Sequence, residues 1–492
     1  MKVLKEASIC LFRSDRPGNL LSNPKVNKHK HALYSTLLSN DQLPKELQEV
    51  CRVVSSSIGG LDDLESSLNQ STVQLTSAVV RQVLDSCKQE APSRRLLRFF
   101  SWSCRNLSCD IKDEDSNFAV RVLAEKKDHT GLQILLSDLR KEGRAMEAHT
   151  FSVVAETLVT LGKEDEALGI FKNLGKFKCP QDSLTVTAIV SALCSKGHAK
   201  KALGVIWHHK DKISSVKSTI YKCLLHGWSV QKNVKEARNV IQQMKANGIS
   251  LDLLCFNTFL RCLCERNVRW NPSGLLPEAL NVMMEMRSYK IMPNSISYNI
   301  LLSYLGRTRR VKESCQVLEM MRSSGCAPDW TTYYLVAKVL YLSGRVVKGN
   351  RMVNEMTEEG LVPNRKFYYD LIGILCGVER IDFALGLFDL MKRSSMGGYG
   401  PVYDVLIPKL CRGGDFQKGR ELWDEAMAIG ITLSCSEDVL DPSVTEVFQP
   451  KRKEKEEVRL KDFTKWPKTP TQAKKTRGKL KRKAKPKKKP AL

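Results

Sequence analysis

The sequence has few of the short motifs that mark redox, metal or catalytic sites. It contains 16 cysteines, yet no two have the Cys-x-x-Cys spacing, so the pattern predicts no zinc site and no redox pair. In a chain of 492 residues without a secretory hydrophobic segment, reduced buried thiols are favoured over disulfides. No apolar run approaches the ~18 residues needed to cross a bilayer. We therefore expect no membrane partner and no metal or other cofactor.

Acidic residues are also scarce. There are 53 Asp and Glu against 79 Lys and Arg, which gives a formal charge of +26 and predicts a polyanionic partner or an anionic surface. Residues 451–492 hold 19 basic and 4 acidic side chains, so +15 of the charge lies in this segment. Without an apolar period, this composition predicts a basic disordered tail. The tail also resembles a nuclear import signal.

Residues 1–40 are basic and contain Ser, and Glu6 and Asp15 are their only acids. This composition resembles an organelle transit peptide and predicts a mitochondrial location. A disordered basic arm is the alternative interpretation. A chloroplast, or a dual location in mitochondrion and nucleus through the lysine-rich C-terminus, also stays open.

A repeat dominates the rest of the chain. Tyr298, Leu301, Leu302 and Leu305 have the spacing of one helix face, and residues 311–321 carry a second such face after a polar turn. Each unit is therefore a helix, a turn and a helix. A unit this short cannot bury its apolar face alone, so neighbouring units must stack. The sequence predicts an all-α fold, an α-solenoid of helix-turn-helix repeats.

Eight units fill residues 148–434, seven of 35 residues and one of 42. Position 20 is always Ala, Ser or Gly, as in Gly349, so that two helices can approach closely. Four cysteines share position 12, which predicts small buried packing groups there: Cys194, Cys264, Cys376 and Cys411. The units begin at Ala148, Ser183, Ser218, Leu253, Ser295, Trp330, Arg365 and Gly400.

The flanking segments follow the helical period less regularly. We interpret residues 41–112 as N-terminal capping helices, 113–147 as a degenerate repeat, and 435–450 as a linker or cap. The 42-residue unit carries seven extra residues within 265–277, where Trp270, Asn271 and Gly274 predict a turn-rich loop. Such a loop can carry function. Alternatively, it is a tolerated insertion with Trp270 packed back on the helices.

Particular residues of these units give a family resemblance. The segment Tyr298-Asn299-Ile300-Leu301-Leu302, with Gly325 and Pro328-Asp329, is one instance, and Phe256-Asn257-Thr258-Phe259-Leu260 is another. The units resemble the pentatricopeptide repeat family, in its plain class, from plant organelles. The resemblance implies a right-handed superhelix of helical hairpins. Its concave groove, lined by first helices, binds single-stranded RNA at one base per unit.

The family reads each base with two side chains, the residue at position 5 and the last residue of the unit. Carried over, three pairs have suitable short polar side chains, and residues at position 2 pack on the base faces. The first pair resembles a purine-reading one, the second a pyrimidine-reading one and the third a uracil-reading one. The RNA-binding residues implied are Ser152 with Asp182, Asn257 with Asn294, and Asn299 with Asp329, with Leu254 and Ile296 stacking on the bases.

The other five pairs depart from the family pattern. Tyrosine could stack on a base but is too bulky for the usual edge contact, and for Tyr334 and Tyr369 we favour a packing or partner surface. Long sequence-specific recognition is therefore not expected. The departing pairs are Thr187/Lys217, Lys222/Asp252, Tyr334/Asn364, Tyr369/Tyr399 and Asp404/Ser434.

Phosphate contacts need cations along the groove. Arg307 and Arg412 lie near the ends of first helices, where the family often has Lys. The family's enzymatic extensions would show a His-x-Glu with Cys-x-x-Cys signature or a nuclease Asp cluster, and neither is present. We expect no enzyme activity and no small-molecule substrate.

Two functions follow as hypotheses. The first is noncatalytic single-stranded RNA binding in organellar RNA processing, stability, splicing or translation. The alternative is a structural subunit of the mitochondrial ribosome or another protein assembly, with ribosomal RNA or ribosomal proteins as partners.

Overall fold

The structure, a computed structural model, describes residues 44–56, 59–71, 73–107 and 111–447. These residues form α-helices, short 3-10 segments and turns, and no strand occurs among them. The all-α class and the solenoid of helix-turn-helix repeats are confirmed. None of the described helices is long and apolar enough to cross a membrane. The predictions for residues 1–40 and 451–492 lie outside the described residues.

Each of the eight units supplies a first and a second helix. Seven first helices begin at the residue where the sequence places the unit start, and the third begins one residue earlier, after the 3-10 segment Lys210–Val216. The first helices are Ala148–Thr160, Ser183–Ser195, Lys217–Val230, Leu253–Trp270, Ser295–Arg307, Trp330–Leu342, Arg365–Gly377 and Gly400–Arg412. The second helices are Glu164–Lys172, Ala199–His208, Val234–Ala246, Leu275–Ser288, Val311–Ser323, Val346–Glu358, Ile381–Arg393 and Phe416–Ala428.

Stacking follows the order of the units. Each first helix from Ala148–Thr160 to Trp330–Leu342 packs against the next first helix, and each second helix packs against its own first helix. Buried apolar residues form one continuous core from Leu47 to Leu340. The chain divides into two compact units after Gly397. The second contains the last helical pair and the 3-10 segment Glu437–Leu440, whose Leu440 is buried.

The small residues at position 20 allow the expected close approach. A Cβ atom on Gly349 would lie 2.3 Å from the ring of Tyr341, and one on Gly419 would lie 2.6 Å from the Cys411 Sγ atom. The four cysteines at position 12 are all buried, as predicted. In these two units position 12 of the first helix therefore packs directly on position 20 of the second helix.

Among the described residues, four helices lie before residue 113: Lys45–Ser55, Leu61–Asn69, Ser77–Cys87 and Ser93–Asn106. A buried arginine, Arg95, donates hydrogen bonds to the carbonyls of Val53 (2.8 Å) and Val54 (3.4 Å) at the end of the first of these helices. It thereby pairs carbonyls that a helix C-terminus leaves without partners. The helices Asp113–Glu125 and His129–Lys141 follow.

The predicted turn-rich loop within residues 265–277 is wrong for most of its length, and only residues 271–274 form a turn. The first helix of the Leu253 unit continues for 18 residues to Trp270, and the 3-10 turn Pro272–Gly274 then leads into the second helix. Trp270 does not pack back on the helices, since 82% of its surface is exposed. The extra residues lengthen the helix because contacts with the second helix hold it.

Candidate nucleic-acid interface

The last residue of a unit has a structural duty as well as its implied reading role. In five units it is the N-cap of the next first helix, and its side chain accepts a hydrogen bond from the backbone N–H three residues later, which satisfies one orphan donor of that helix. The residues that cap in this way are Asp182, Asp252, Asn294, Asp329 and Asn364. These side chains are therefore fixed at the edge where successive first helices begin.

Asn299 and Asp329 lie in direct contact. Asn299 Nδ2 donates to Asp329 Oδ1 at 3.0 Å and Oδ2 at 3.2 Å. The Thr332 hydroxyl donates to Asn299 Oδ1 at 2.8 Å, which fixes the orientation of the amide. The structure brings this predicted pair together in a partly exposed position, where a base edge can bind by exchanging the hydrogen bonds between the two side chains.

Asn257 and Asn294 are joined through a serine instead. Ser297 Oγ donates to Asn257 Oδ1 at 2.7 Å and lies 3.3 Å from the capping oxygen of Asn294. Asn257 is only 6% exposed, and its Nδ2 has no hydrogen-bond partner among the described residues. The arrangement leaves an amide donor for a ligand and holds the carbonyl oxygen against the scaffold.

Ser152 and Asp182 are both partly exposed, but no hydrogen bond joins them within the described part of the chain. Asp182 Oδ1 instead lies 3.1 Å from the Thr185 hydroxyl and accepts the Thr185 N–H at 2.9 Å. The structure therefore fixes only the capping member of this predicted pair.

Apolar side chains at position 2 are exposed, which is the opposite of what burial of apolar surface favours. The exposed fraction is 45% for Leu254 and 52% for Ile296, the two predicted stacking residues. Leu184 in the Ser183 unit is exposed by 64%, and the sequence reasoning missed it because its unit lacks a readable pair. Its position 2 was the signal that could have found it.

Several departing pairs are occupied by internal contacts. Lys222 Nζ forms an ion pair with Asp252 Oδ2 at 2.7 Å, and their hydrogen bond raises the pKa of Lys222. Tyr334 donates to Asp370 Oδ2 at 2.5 Å and accepts from Lys338 Nζ at 2.8 Å. Lys222 and Tyr334 are therefore bonded within the protein through the groups that would otherwise contact the edge of a base.

The last unit uses its position-5 residue in a similar way. Asp404 Oδ1 accepts from the backbone N–H of Ser434 at 2.7 Å and of Cys435 at 3.2 Å. It therefore holds the segment that follows the last repeat.

The two predicted phosphate contacts differ in their surroundings. Arg412 is exposed and forms no ion pair with the described residues. Arg307 Nη1 lies 2.8 Å from Glu265 Oε2, and Lys232 Nζ lies 3.1 Å from the other carboxylate oxygen, Oε1. Partial burial alone would raise the pKa of Glu265, but the hydrogen bonds from Arg307 and Lys232 lower it to about 2. Glu265 thus stays ionised and offsets part of the Arg307 charge.

The hydroxyl groups at position 3 were also missed. Thr185, Ser297 and Thr332 are buried, and each forms a capping box with the N-cap residue three positions earlier. The signal was present in the sequence as Asp or Asn followed three residues later by Ser or Thr. Ser297 and Thr332 additionally orient the amides of Asn257 and Asn299.

Fold and site together define a helical repeat protein whose first helices present capped polar pairs and exposed apolar residues along one edge. A model of the PPR repeat family matches residues 293–341, and a model of the pentatricopeptide repeat domain matches residues 214–266 and 274–308. A mitochondrial pentatricopeptide repeat-containing protein of Arabidopsis thaliana is 65% identical over 86% of this chain and 86% of its own length. The chain belongs to the pentatricopeptide repeat family.

Two further similarities are more distant. The Arabidopsis thaliana small ribosomal subunit protein mL104 is 26% identical over 71% of this chain and 67% of its own length. The crystal structure of the maize pentatricopeptide repeat protein PPR10 has a TM-score of 0.48 and 19% identity over 80% of this chain. This chain spans 60% of the length of PPR10.

Proposed function

We propose that the chain is a noncatalytic single-stranded RNA-binding protein of mitochondria. It acts in organellar RNA processing, stability, splicing or translation, and it reads bases at few positions. The contact of Asn299 with Asp329 is the observation that carries the proposal. It sets an amide and a carboxylate side by side on a partly exposed surface, next to the exposed Ile296. Family membership and the excess of basic residues support it.

Direct binding measurements test this proposal. The purified full chain is titrated with randomised single-stranded RNA at salt concentrations from about 50 to 200 mM, because phosphate contacts make affinity salt-dependent. We expect binding that weakens with salt, and selected RNAs that share two adjacent pyrimidines for Asn257 and Asn299. Asn354→Ala, at an exposed position of the second helix Val346–Glu358, is the matched control for substitutions of the predicted reading residues Asn257 and Asn299. Absence of binding at the lowest salt would contradict the proposal.

The mitochondrial location is supported by the name of the 65% identical relative and by the composition of residues 1–40. Fusing residues 1–40 to a fluorescent reporter tests it in plant cells. A signal confined to mitochondria is the expected result, and a diffuse cytosolic signal would contradict it.

A structural role in the mitochondrial ribosome is the second candidate. The 26% identity to a small ribosomal subunit protein, over 71% of this chain, favours it. Position-5 residues that bond to the scaffold, such as Lys222 and Tyr334, are also consistent with an array that reads few bases. Sucrose-gradient fractionation of mitochondrial lysate distinguishes the two functions: co-sedimentation with the small subunit supports the structural role, and confinement to light fractions contradicts it.

A further inference from the structure

Trp270 is an exposed tryptophan at the end of the longest first helix, Leu253–Trp270. Its side chain is 82% exposed, and its ring makes no aromatic or cation contact within the part of the chain that the structure describes. Trp207 is a useful contrast, since it is 69% exposed but has Lys210 Nζ over its ring at 3.2 Å. Trp270 therefore offers the uncovered face of a large aromatic ring to a partner.

The support beneath Trp270 is held by a polar network. Glu278 of the second helix accepts from Arg266 at 2.6 Å and from Asn267 at 3.1 Å, and Asn271 lies within 3.4 Å of it. The turn that follows is tight, because a Cβ atom on Gly274 would lie 2.3 Å from Asn271 Nδ2. The network fixes the helix end that carries Trp270, so the backbone there loses little conformational entropy when a partner binds.

The same helix end gathers positive charge from three consecutive units. Glu265 lies 3.1 Å from Lys232 of the preceding unit, 2.8 Å from Arg307 of the following unit and 3.9 Å from Arg269 of its own helix. One carboxylate thus faces three cations, which leaves a net positive charge. Both arginines keep more than half of their side-chain surface exposed.

This region is separate from the base-reading pairs. Trp270 follows Leu254 by 16 residues in one helix, which corresponds to ~24 Å along the helix axis. The reading pairs lie near the starts of the first helices, whereas Trp270 and the cations lie at or just beyond their ends.

We propose that Trp270, Lys232, Arg269 and Arg307 form a second RNA-contact site, where one unpaired base stacks on the indole and the cations hold its flanking phosphates. Aromatic rings combined with cations are the usual means of holding single-stranded nucleic acid without sequence preference. The three cations outnumber the single carboxylate of Glu265 that they face, and this net positive charge favours a polyanion. The inference rests on the proposed RNA-binding function.

The test compares variants of the full chain for affinity toward an RNA of about 30 nucleotides that carries the selected pyrimidine pair. Trp270→Ala should weaken binding roughly five- to a hundredfold, the range expected for loss of one stacked base. Trp270→Phe should retain most of the affinity, and Trp207→Ala is the matched exposed-tryptophan control. Arg269→Gln should reduce by about one the slope of the logarithm of the binding constant against the logarithm of the salt concentration.

The outcomes separate the inference from the function on which it rests. If the wild-type chain binds RNA and Trp270→Ala binds equally well, the second site is wrong and RNA binding stands. If the wild-type chain binds no RNA, both fail. If Trp270→Ala leaves RNA affinity unchanged but releases the chain from ribosomal fractions, Trp270 contacts a protein and the inference is overturned.

Discussion

Two neighbouring units, residues 295–329 and 330–364, have the same frame and different surfaces. Each begins with a first helix of 13 residues that contains a buried tyrosine, Tyr298 or Tyr333, at position 4. At position 5 the first unit has Asn299, which bonds to Asp329, and the second has Tyr334, which bonds to Asp370 and Lys338. Scaffold and ligand chemistry are therefore set by different residues.

The two units also differ at positions 12 and 20. The first combines Gly306 with the buried Ser314, and the second combines the buried Tyr341 with Gly349. Tyr341 also donates a hydrogen bond to Asn350. A Cβ atom on Gly306 would meet nothing within 4 Å, whereas one on Gly349 would lie 2.3 Å from the Tyr341 ring, so only the second unit is tightly filled at these positions.

Overfilling the space between Tyr341 and Gly349 should give the largest loss of stability. Gly349→Ala places a Cβ atom 2.3 Å from the Tyr341 ring, and overpacking of this kind costs about 3 kcal/mol. Chemical denaturation measures the loss of unfolding free energy. Ser314→Ala in the sister unit is the control, with a much smaller loss. The double variant Tyr341→Cys, Gly349→Ala reproduces the Cys and Ala of three other units and should recover stability; no recovery would contradict the packing account.

Removing the reading amide should have the next largest effect. Asn299→Ala should lower discrimination at one base by ~1–3 kcal/mol, the value of a good base contact, with little change at other positions. Affinities for RNAs that differ at single positions measure it. Tyr334→Ala is the control from the neighbouring unit and should leave base discrimination unchanged. Equal loss of discrimination in both variants would remove the distinction between the units.

The two units also differ at position 13, where the first has Arg307 and the second has Leu342. Arg307 forms an ion pair with Glu265, so the stability gained from this contact depends on the ionisation of Glu265 and therefore on pH. The hydrogen bonds from Arg307 and Lys232 outweigh partial burial and lower the pKa of Glu265 from its ordinary 4.5 to about 2. Its stabilisation is therefore complete above the ordinary pKa and is lost as pH falls from 4.5 through about 2.

Glu265→Gln should accordingly lower the unfolding free energy by about 1–2 kcal/mol at pH 7, as loss of a hydrogen bond to a charged group does. The difference from the wild-type chain should shrink as the pH falls below 4.5. Thermal melts across this pH range measure it, with the exposed Glu319→Gln as control. A difference that is independent of pH would contradict the ionised role of Glu265.

The smallest effect is expected at position 3. Thr332→Val removes the hydroxyl that donates to Asn299 and completes the capping box of Asp329, and the next unit already has Phe367 at this position. We expect a loss of about 0.5–1 kcal/mol in stability and weaker base discrimination than wild type, though stronger than Asn299→Ala. Thr332→Ser keeps the hydroxyl and should therefore retain both the stability and the base discrimination of the wild-type chain. Base discrimination that matches wild type in Thr332→Val would show that the hydroxyl does not position the amide.

The frame could be predicted from the sequence because it is local. Helical spacing, the small residue at position 20 and the capping side chains each depend on residues close in the chain, and the first helices begin within one residue of the predicted starts. The surroundings of the site could not be predicted, because they depend on contacts between units. Glu265 lies 42 residues from Arg307, and Ser297 lies 40 from Asn257. Glu278 of the second helix bonds to Arg266 and Asn267 of the lengthened first helix.

The contact of Asn299 with Asp329 also fixes what a base can gain by binding. An arriving base has to exchange hydrogen bonds that already exist within the protein, so a matching base roughly conserves their number. A mismatched base opens the same contact without replacing it, and an unpaired carboxylate is costly. This position therefore discriminates by weakening the binding of mismatched bases. The binding free energy that keeps the matching RNA in place comes from other contacts.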